Sequence, residues 1–323
     1  MNFKGKNILV TGVAGFIGSN LTHELLKLGA NVTGIDNLFN GRIENLEEIL
    51  TNKSFKFIKG DIRDFNLLLE ISKDIDIIYH EAAFTSVPQS ILMPESCNDV
   101  NVNGTLNILN AARKNDVDKI IYASSSSVYG DTKTLPKRED MPRVPISPYG
   151  VSKLACEGYM QVFHKVYGVK TVGLRYFNVF GPRQKDSPYS GVIAIWLSKI
   201  IAYKDLIIFG DGEQSRDFTY IKDIVQANLL APKHNISGEI INLGAGSPIK
   251  LTDLANLMLE ITNNKNLKII YTDPRPGDIK HSFADISKAK KLLDFTPSFN
   301  QEEGLKDYFT WYGNKYKINL NIN

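Results

Sequence analysis

Tyr149 and Lys153 stand one helical turn apart in Ser147-Pro148-Tyr149-Gly150-Val151-Ser152-Lys153. Ser147 suits a helix N-cap and Pro148 its first turn, because proline has no N–H to leave unsatisfied. The phenol and the ammonium then share a face. A lysine ammonium near a phenol favours the phenolate and lowers its pKa from about 10, which makes a proton-transfer group usable near neutral pH. The same pair also fits an ordinary amphipathic helix. A second chemical stretch is Tyr122-Ala123-Ser124-Ser125-Ser126-Ser127-Val128-Tyr129-Gly130. It follows a strand pattern, at the carboxyl edge where open α/β sheets bind ligands. A serine hydroxyl there can share a proton path with Tyr149, although serine-rich strand ends also serve plain turns.

A third stretch is Gly12-Val13-Ala14-Gly15-Phe16-Ile17-Gly18, between an apolar run and a helical pattern. Glycines there permit a tight turn and let a pyrophosphate approach the backbone, with the helix N-terminus favouring its charge. The spacing Gly-x-x-Gly-x-x-Gly departs from the usual dinucleotide fingerprint, and glycines also make ordinary turns. Asp36, at the end of the second strand pattern, suits the adenosine ribose hydroxyls and would repel a 2′-phosphate, so NAD is favoured over NADP. It equally suits a turn ahead of Asn37. Asp61-Ile62, after the third strand, is placed to meet an adenine ring, while Gly60-Asp61 is also a good turn.

The elements that must position these groups alternate in the way of a parallel sheet wrapped by helices. Strands are expected at 7–10, 31–35, 55–59, 75–80, 119–123 and 171–175, and their continuous apolar character suits a sheet covered on both faces. Helices are expected after the glycine turn, over 102–114 and over 147–167. Past Arg175 the regularity falls away: helices are expected near 192–202, 251–261 and 286–293, short strands at 207–209 and 240–243, and the tail after Trp311 frays. The expected class is α/β, a Rossmann-type doubly wound parallel sheet with a smaller C-terminal α/β substrate-binding lobe. The division expected is 1–175 for the cofactor, with later returns near 219–245, and 176–323 for the substrate.

With 323 residues the chain can bury a large core, and its composition, 43% hydrophobic and 23% charged, is ordinary for a globular protein. A net charge of +3 without basic blocks calls for neither nucleic acid nor a membrane surface. No apolar run approaches transmembrane length and no signal-peptide core precedes the first strand, so the cytoplasm is the expected compartment. Cys97 and Cys156 make no disulfide framework, and the five histidines lack metal-ligand spacing, so no metal is expected.

The glycine spacing, Asp61-Ile62, Ser125 and Tyr149-x-x-x-Lys153 together resemble the extended short-chain dehydrogenase/reductase family, most of all its UDP-hexose 4-epimerases. The resemblance covers nearly the whole chain. Further matches are Asn101-Val102-Asn103-Gly104-Thr105, the run from Leu174 to Arg183, Arg216-Asp217 and Arg275-Pro276-Gly277-Asp278. It implies an NAD-dependent isomerase that interconverts UDP-GlcNAc/UDP-GalNAc and/or UDP-Glc/UDP-Gal through a 4-keto intermediate. Ser125, Tyr149 and Lys153 are then the catalytic set. NAD would be held by Gly12, Gly15, Phe16, Ile17 and Gly18 at the turn, and by Asp36, Asn37, Asp61 and Ile62 on the adenosine side. Ala82, Ala83 and Asn101 would complete its site with Tyr149 and Lys153. Ser86, Ser125, Ser126, Asn178, Arg216, Arg275 and Ser282 would meet the UDP-sugar, with Arg216 and Arg275 suited to the pyrophosphate. Arg183 would bind phosphate or hold its loop.

Two features narrow the reaction. Related dehydratases carry Asp-Glu directly after their catalytic threonine and related decarboxylases a glutamate at the second position, whereas this chain has Ser126-Ser127. A serine at its normal pKa cannot replace a carboxyl acid/base. Ser282 falls where strict glucose/galactose enzymes carry tyrosine, and with the Ser86–Ser90 loop it implies room for a 2-acetamido group. A uronate 4-epimerase, with Lys185 or Lys280 meeting the carboxylate, is the lesser alternative, and a non-catalytic NAD-binding sensor the non-enzyme one. Family members commonly pair as homodimers, for which Leu106/Leu109/Ala112 and Leu154/Tyr159/Val162/Phe163 offer apolar faces.

Overall fold

The computed structural model describes residues 2–184, 191–274, 279–320 and 322. The first half runs β1 (Asn7–Thr11), α1 (Phe16–Lys27), β2 (Asn31–Asp36), β3 (Phe55–Lys59), α2 (Phe65–Ile71) and β4 (Ile77–His80). It continues through α3 (Val87–Leu92), α4 (Pro94–Asn98), α5 (Gly104–Lys114), β5 (Lys119–Ser125), α6 (Pro148–Tyr167) and β6 (Thr171–Tyr176). The second half holds β7 (Val179–Phe180), α7 (Val192–Ile201), β8 (Leu206–Phe209), β9 (Ser215–Arg216), β10 (Thr219–Tyr220) and α8 (Ile221–Leu230). β11 (Glu239–Leu243), β12 (Ile249–Lys250), α9 (Leu251–Ile261), β13 (Ile269–Thr272), β14 (His281–Ser282), α10 (Ser287–Leu293) and α11 (Gln301–Tyr316) complete it.

Seven strands form one parallel sheet in the order β11-β6-β5-β4-β1-β2-β3. Alternate residues of each central strand enter different cores. Ile8, Val10, Tyr79, Ile121 and Leu174 pack with Leu21, Leu25 and Ile224 from α1 and α8. Leu9, Ile78, Ile120 and Tyr122 pack with Ile108, Leu109, Cys156 and Met160 from α5 and α6. Burial on both faces explains why these strands are apolar throughout. The fold is thus the Rossmann-type doubly wound sheet expected from the sequence, and its order reverses beside β1, where such folds open a crevice at the strands' carboxyl ends.

Several boundaries differ from expectation for physical reasons. β5 runs on to Ser125, because Ser124 and Ser125 pair with Arg175 and Tyr176 of β6. The helix expected from Val102 starts as α4 and passes through a widened π-turn, Asp99–Asn103, before α5. The tail does not fray at Trp311. α11 carries a full capping box from Asn300 and Glu303 and continues to Tyr316, where Tyr312 and Tyr316 rings meet at 4.5 Å. α8 lay outside the expected elements because its buried polar residues Asp223 and Asn228 break the apolar pattern. No described helix is long and apolar enough to cross a membrane.

Candidate active site

The glycine turn joins β1 to α1 by close backbone approach. Gly12 has φ 68°, and a Cβ there would lie 2.7 Å from the Ala82 nitrogen; at Gly18 it would lie 2.3 Å from the Gly12 carbonyl oxygen. The first intrahelical bond of α1 is Ser19 N–H to Gly15 O, 3.1 Å. Gly15 provides no side-chain cap and the first turn carries no acidic residue, so the amides of Phe16, Ile17 and Gly18 open the helix without an intrahelical acceptor. That is a fitting seat for a pyrophosphate. Asp36 is buried; its Oδ2 accepts from Ala14 N at 3.0 Å and its Oδ1 from Leu38 N at 2.8 Å. Desolvation raises its pKa, against the pull of those two bonds. Gly41 faces this carboxylate, and a Cβ on it would lie 2.7 Å from Oδ1. Sequence reasoning missed Gly41, which looks like any turn glycine. The donor geometry and the acidic group beyond it fit a dinucleotide, since each carboxylate oxygen keeps a further lone pair for a ribose hydroxyl.

Asn37, Asp61 and Ile62, the other residues expected on the adenosine side, are held less directly. Asn37 donates to Asp61 at 2.8 Å, and Arg63 grips the Asp61 carboxylate with two bonds of 2.9 Å, holding its pKa well below the usual range. The Ile62 side chain is buried under the start of α5, where Gly104 leaves it room.

Beyond β4, Ala82, with Ala83 next to it, is positioned by a relay of buried polar groups. Ala82 N–H donates to Thr11 Oγ1 at 3.1 Å, and Thr11 meets His80 Nδ1 at 2.8 Å. His80 Nε2 meets Thr105 Oγ1 at 3.0 Å, and Thr105 donates to the Asn101 carbonyl at 2.5 Å. With Thr105 donating onward, His80 carries its proton on Nε2, and with Nδ1 unprotonated it accepts from Thr11. Burial lowers its pKa to about 3. Asn101 spends its side chain on protein: Oδ1 accepts from Phe84 N at 2.7 Å, while Nδ2 donates to Ser152 Oγ at 2.8 Å and to Phe84 O at 3.2 Å. Asn101 therefore acts on the site by fixing the loop at Phe84.

At the opening of α6, Ser147 caps the helix by accepting from Gly150 N at 3.1 Å, and Ser90 accepts from Tyr149 N at 3.2 Å. Ser86 in turn caps α3. The Tyr149 hydroxyl faces the Ser125 side chain, whose Oγ also accepts from Ser127 N at 3.2 Å. Ser126 begins the turn beyond, half-buried. Lys153 is buried, with Nζ donating to the Ala123 carbonyl at 2.7 Å and lying 5.8 Å from the Tyr149 ring centre. The expected lowering of the phenol pKa is corrected here. Desolvation pushes Tyr149 up to about 12, and the Ser125 hydrogen bond offsets only part of that. Burial also lowers the pKa of Lys153. Glu81, which the sequence reading passed over, accepts from the Tyr176 hydroxyl at 3.0 Å and is pushed up to about 7 by desolvation.

In the second half, β9 lies between β12 and β14, and Arg216 is in register with Ser282. Arg216 Nη1 donates to the Ser215 and Lys280 carbonyls, each at 3.0 Å. Asn178 donates to the Asp217 carbonyl at 3.1 Å. Asp217 is buried and accepts from Ala245, Gly246 and Ala284 amides at 2.8 to 3.1 Å, tying three loops together. Arg183 holds its loop: it donates to Asn20 at 3.1 Å and to Glu48 at 3.2 Å, and lies over the Trp311 ring. Arg275 and Lys185 lie outside the described residues.

A family model described as the NAD dependent epimerase/dehydratase family matches residues 8–244. A putative UDP-glucose 4-epimerase of Methanocaldococcus jannaschii is 39% identical over 309 residues, covering 95% of this chain and 98% of that protein. Among solved structures, the UDP-N-acetylglucosamine 4-epimerase of Methanobrevibacter ruminantium M1, in complex with UDP-N-acetylmuramic acid, has a TM-score of 0.92 and 40% identity, covering 97% of this chain and 99% of the other. The UDP-glucuronic acid 4-epimerase of Bacillus cereus, in complex with UDP-glucuronic acid and NAD, has a TM-score of 0.89 and 37% identity, covering 96% and 100%.

Proposed function

This chain belongs to the NAD dependent epimerase/dehydratase family, and we propose that within it the chain is a UDP-hexose 4-epimerase that inverts carbon 4 through a 4-keto intermediate. The observation that carries the reading is the pairing of Tyr149 with Ser125 at the sheet edge without a carboxyl group at Ser126 or Ser127. One proton-handling centre suffices when a single carbon is oxidised and reduced again.

Bound NAD supplies the hydride acceptor and donor for carbon 4. The protein's part is to hold and to move a proton. The Phe16–Gly18 amides seat the pyrophosphate, Asp36 takes the ribose hydroxyls, and Asn37, Asp61, Ile62, Ala82 and Ala83 shape the adenosine and nicotinamide ends. Tyr149 would act as the phenolate, a form that the positive charge of Lys153 and of a bound nicotinamide would favour; it takes the 4-hydroxyl proton with Ser125 on the path and, as the phenol, returns it to the 4-keto oxygen when the sugar is reduced again. Arg216, Arg275 and Asn178 anchor the UDP, so that the sugar can turn and take hydride on its other face. In this reading residues 1–175, with β11, hold the cofactor and the rest of 176–323 holds the nucleotide sugar. Ser86 and Ser282 leave space at the sugar, which extends the substrate range to UDP-GlcNAc/UDP-GalNAc beside UDP-Glc/UDP-Gal.

A homodimer belongs to the same reading. Of the faces expected to pair, Leu109, Ala112 and Phe163 are buried within the protomer. Tyr159 and Val162 of the expected face are exposed and join Val151 and Val166 in an apolar stripe along α6, which supports pairing through that helix.

The test is to incubate the purified protein separately with UDP-GlcNAc, UDP-Glc and UDP-glucuronic acid and resolve the products by NMR. Interconversion of either of the first two is expected. Turnover of the uronate alone transfers the reading to a uronate epimerase, and no turnover with NAD confirmed bound overturns it.

A further inference from the structure

Phe39 has no place in either core. It leaves 61% of its surface exposed, an unfavourable site for a phenylalanine, yet its ring lies on Phe84 with centroids 6.2 Å apart and planes 29° from parallel. Phe84 is itself only 3% exposed. The two rings come from loops on opposite sides of the glycine turn. The sheet order β4-β1-β2 places β1 between them, so the loop after β2 carries Phe39 and the loop after β4 carries Phe84. A contact between those two loops spans the crevice that opens from the end of β1.

Both rings are held from behind. Asp36 accepts from the amide of Leu38, whose φ of 62° turns the chain, and Asn37 accepts from the amide of Phe39 at 2.9 Å. Asn101 brackets Phe84 through its N–H and its carbonyl. The residues that anchor the rings are thus the ones assigned to the cofactor.

We propose that Phe39 and Phe84 form an aromatic clasp over the dinucleotide crevice that slows release of the cofactor. The inference rests on the NAD-dependent reading above. An epimerase reduces and re-oxidises the same cofactor in each turnover, so slow release costs it nothing in rate. The clasp adds contact without a charged group, and Phe39, being exposed, can swing away without disturbing the core.

The experiment measures release from the purified holoprotein, trapping free NAD with alcohol dehydrogenase and ethanol and reading NADH fluorescence. Phe39→Ala should release NAD roughly 5- to 10-fold faster, as expected for loss of one aromatic pair with its contact area. The melting temperature of its cofactor-free form and its turnover at saturating NAD should stay unchanged. Phe39→Tyr, which keeps the ring, should match the parent. Phe84→Leu should speed release to the same extent, and the double variant no further, because a stack is lost once. Release from Phe39→Ala at the parent rate overturns the clasp, as do multiplicative effects in the double variant. A parent protein that neither carries nor takes up NAD overturns the cofactor reading and the clasp with it, whereas normal NAD binding with unaltered release from Phe39→Ala overturns the clasp alone.

Discussion

Tyr149 keeps its proton in the cofactor-free protein because enclosure of the phenol outweighs what Lys153 can do from across the ring. Spectrophotometric titration of cofactor-free protein should therefore show no phenolate from Tyr149 at pH 8, with difference spectra against Tyr149→Phe featureless until above pH 11. The same substitution should lower turnover by at least about 100-fold while leaving NAD content intact, since it removes the proton-transfer group and little else. The spacing of Tyr149 and Lys153 was legible in the sequence. The direction of the phenol's shift was not, because the burial that raises it arises only when the chain folds around Tyr149. His80 provides a second residue-scale test. Its pKa in the folded protein, about 3, lies below the ordinary 6.5, so the unfolded chain binds the extra proton first. The stability held above pH 6.5 is then lost as pH falls toward 3, by on the order of 4 kcal/mol. Urea denaturation across that range should show the slope, and His80→Gln should flatten it.

Where β5, β6 and α6 meet, one buried ion pair locks the elements that carry the reacting groups. Arg175 on β6 and Glu157 on α6 are 1% and 0% exposed and make bonds of 2.7 and 2.8 Å. Ser124, next to Ser125, donates to the same carboxylate at 2.5 Å, and Arg175 also reaches the Tyr129 hydroxyl at 2.6 Å. Removing one member strands the other charge in the core, so Glu157→Gln should cost about 3–5 kcal/mol in urea denaturation. A loss below about 1 kcal/mol would mean that water or another group takes over the guanidinium. Sequence reading placed β6 from its apolar run and α6 from the Ser147 cap and Pro148, with Arg175 at the strand's expected end and no role for Glu157. Nothing local reveals that two charges will face each other between strand and helix. Arg183 is a related case: the sequence left phosphate binding and loop holding both open, and only its partners Asn20, Glu48 and Trp311, from three distant stretches, show it holding its loop.

Taken whole, the molecule presents its apolar α6 stripe to solvent and keeps its larger core continuous from Phe3 to Leu320. If α6 is the pairing face, Val162→Glu with Val166→Glu should convert a dimer to a monomer by light scattering, with the far-UV spectrum unchanged. A dimer that survives both charges pairs elsewhere. The parallel sheet was readable as a whole because its strands are buried on both faces and therefore uniformly apolar, whereas the small β9, β12 and β14 sheet rests on pairs of residues too short to carry a pattern. The late arrival of β11 has a consequence for synthesis. β6 ends at Tyr176, and its neighbour begins only at Glu239, so about sixty residues must leave the ribosome before that flank is covered. Asn242 of β11 also accepts from the Tyr129 hydroxyl at 2.7 Å, closing the hydrogen-bond chain around Arg175. A nascent chain halted before residue 239 should thus bind chaperones through an uncovered strand edge and remain protease-sensitive, and the completed chain should lose both properties together.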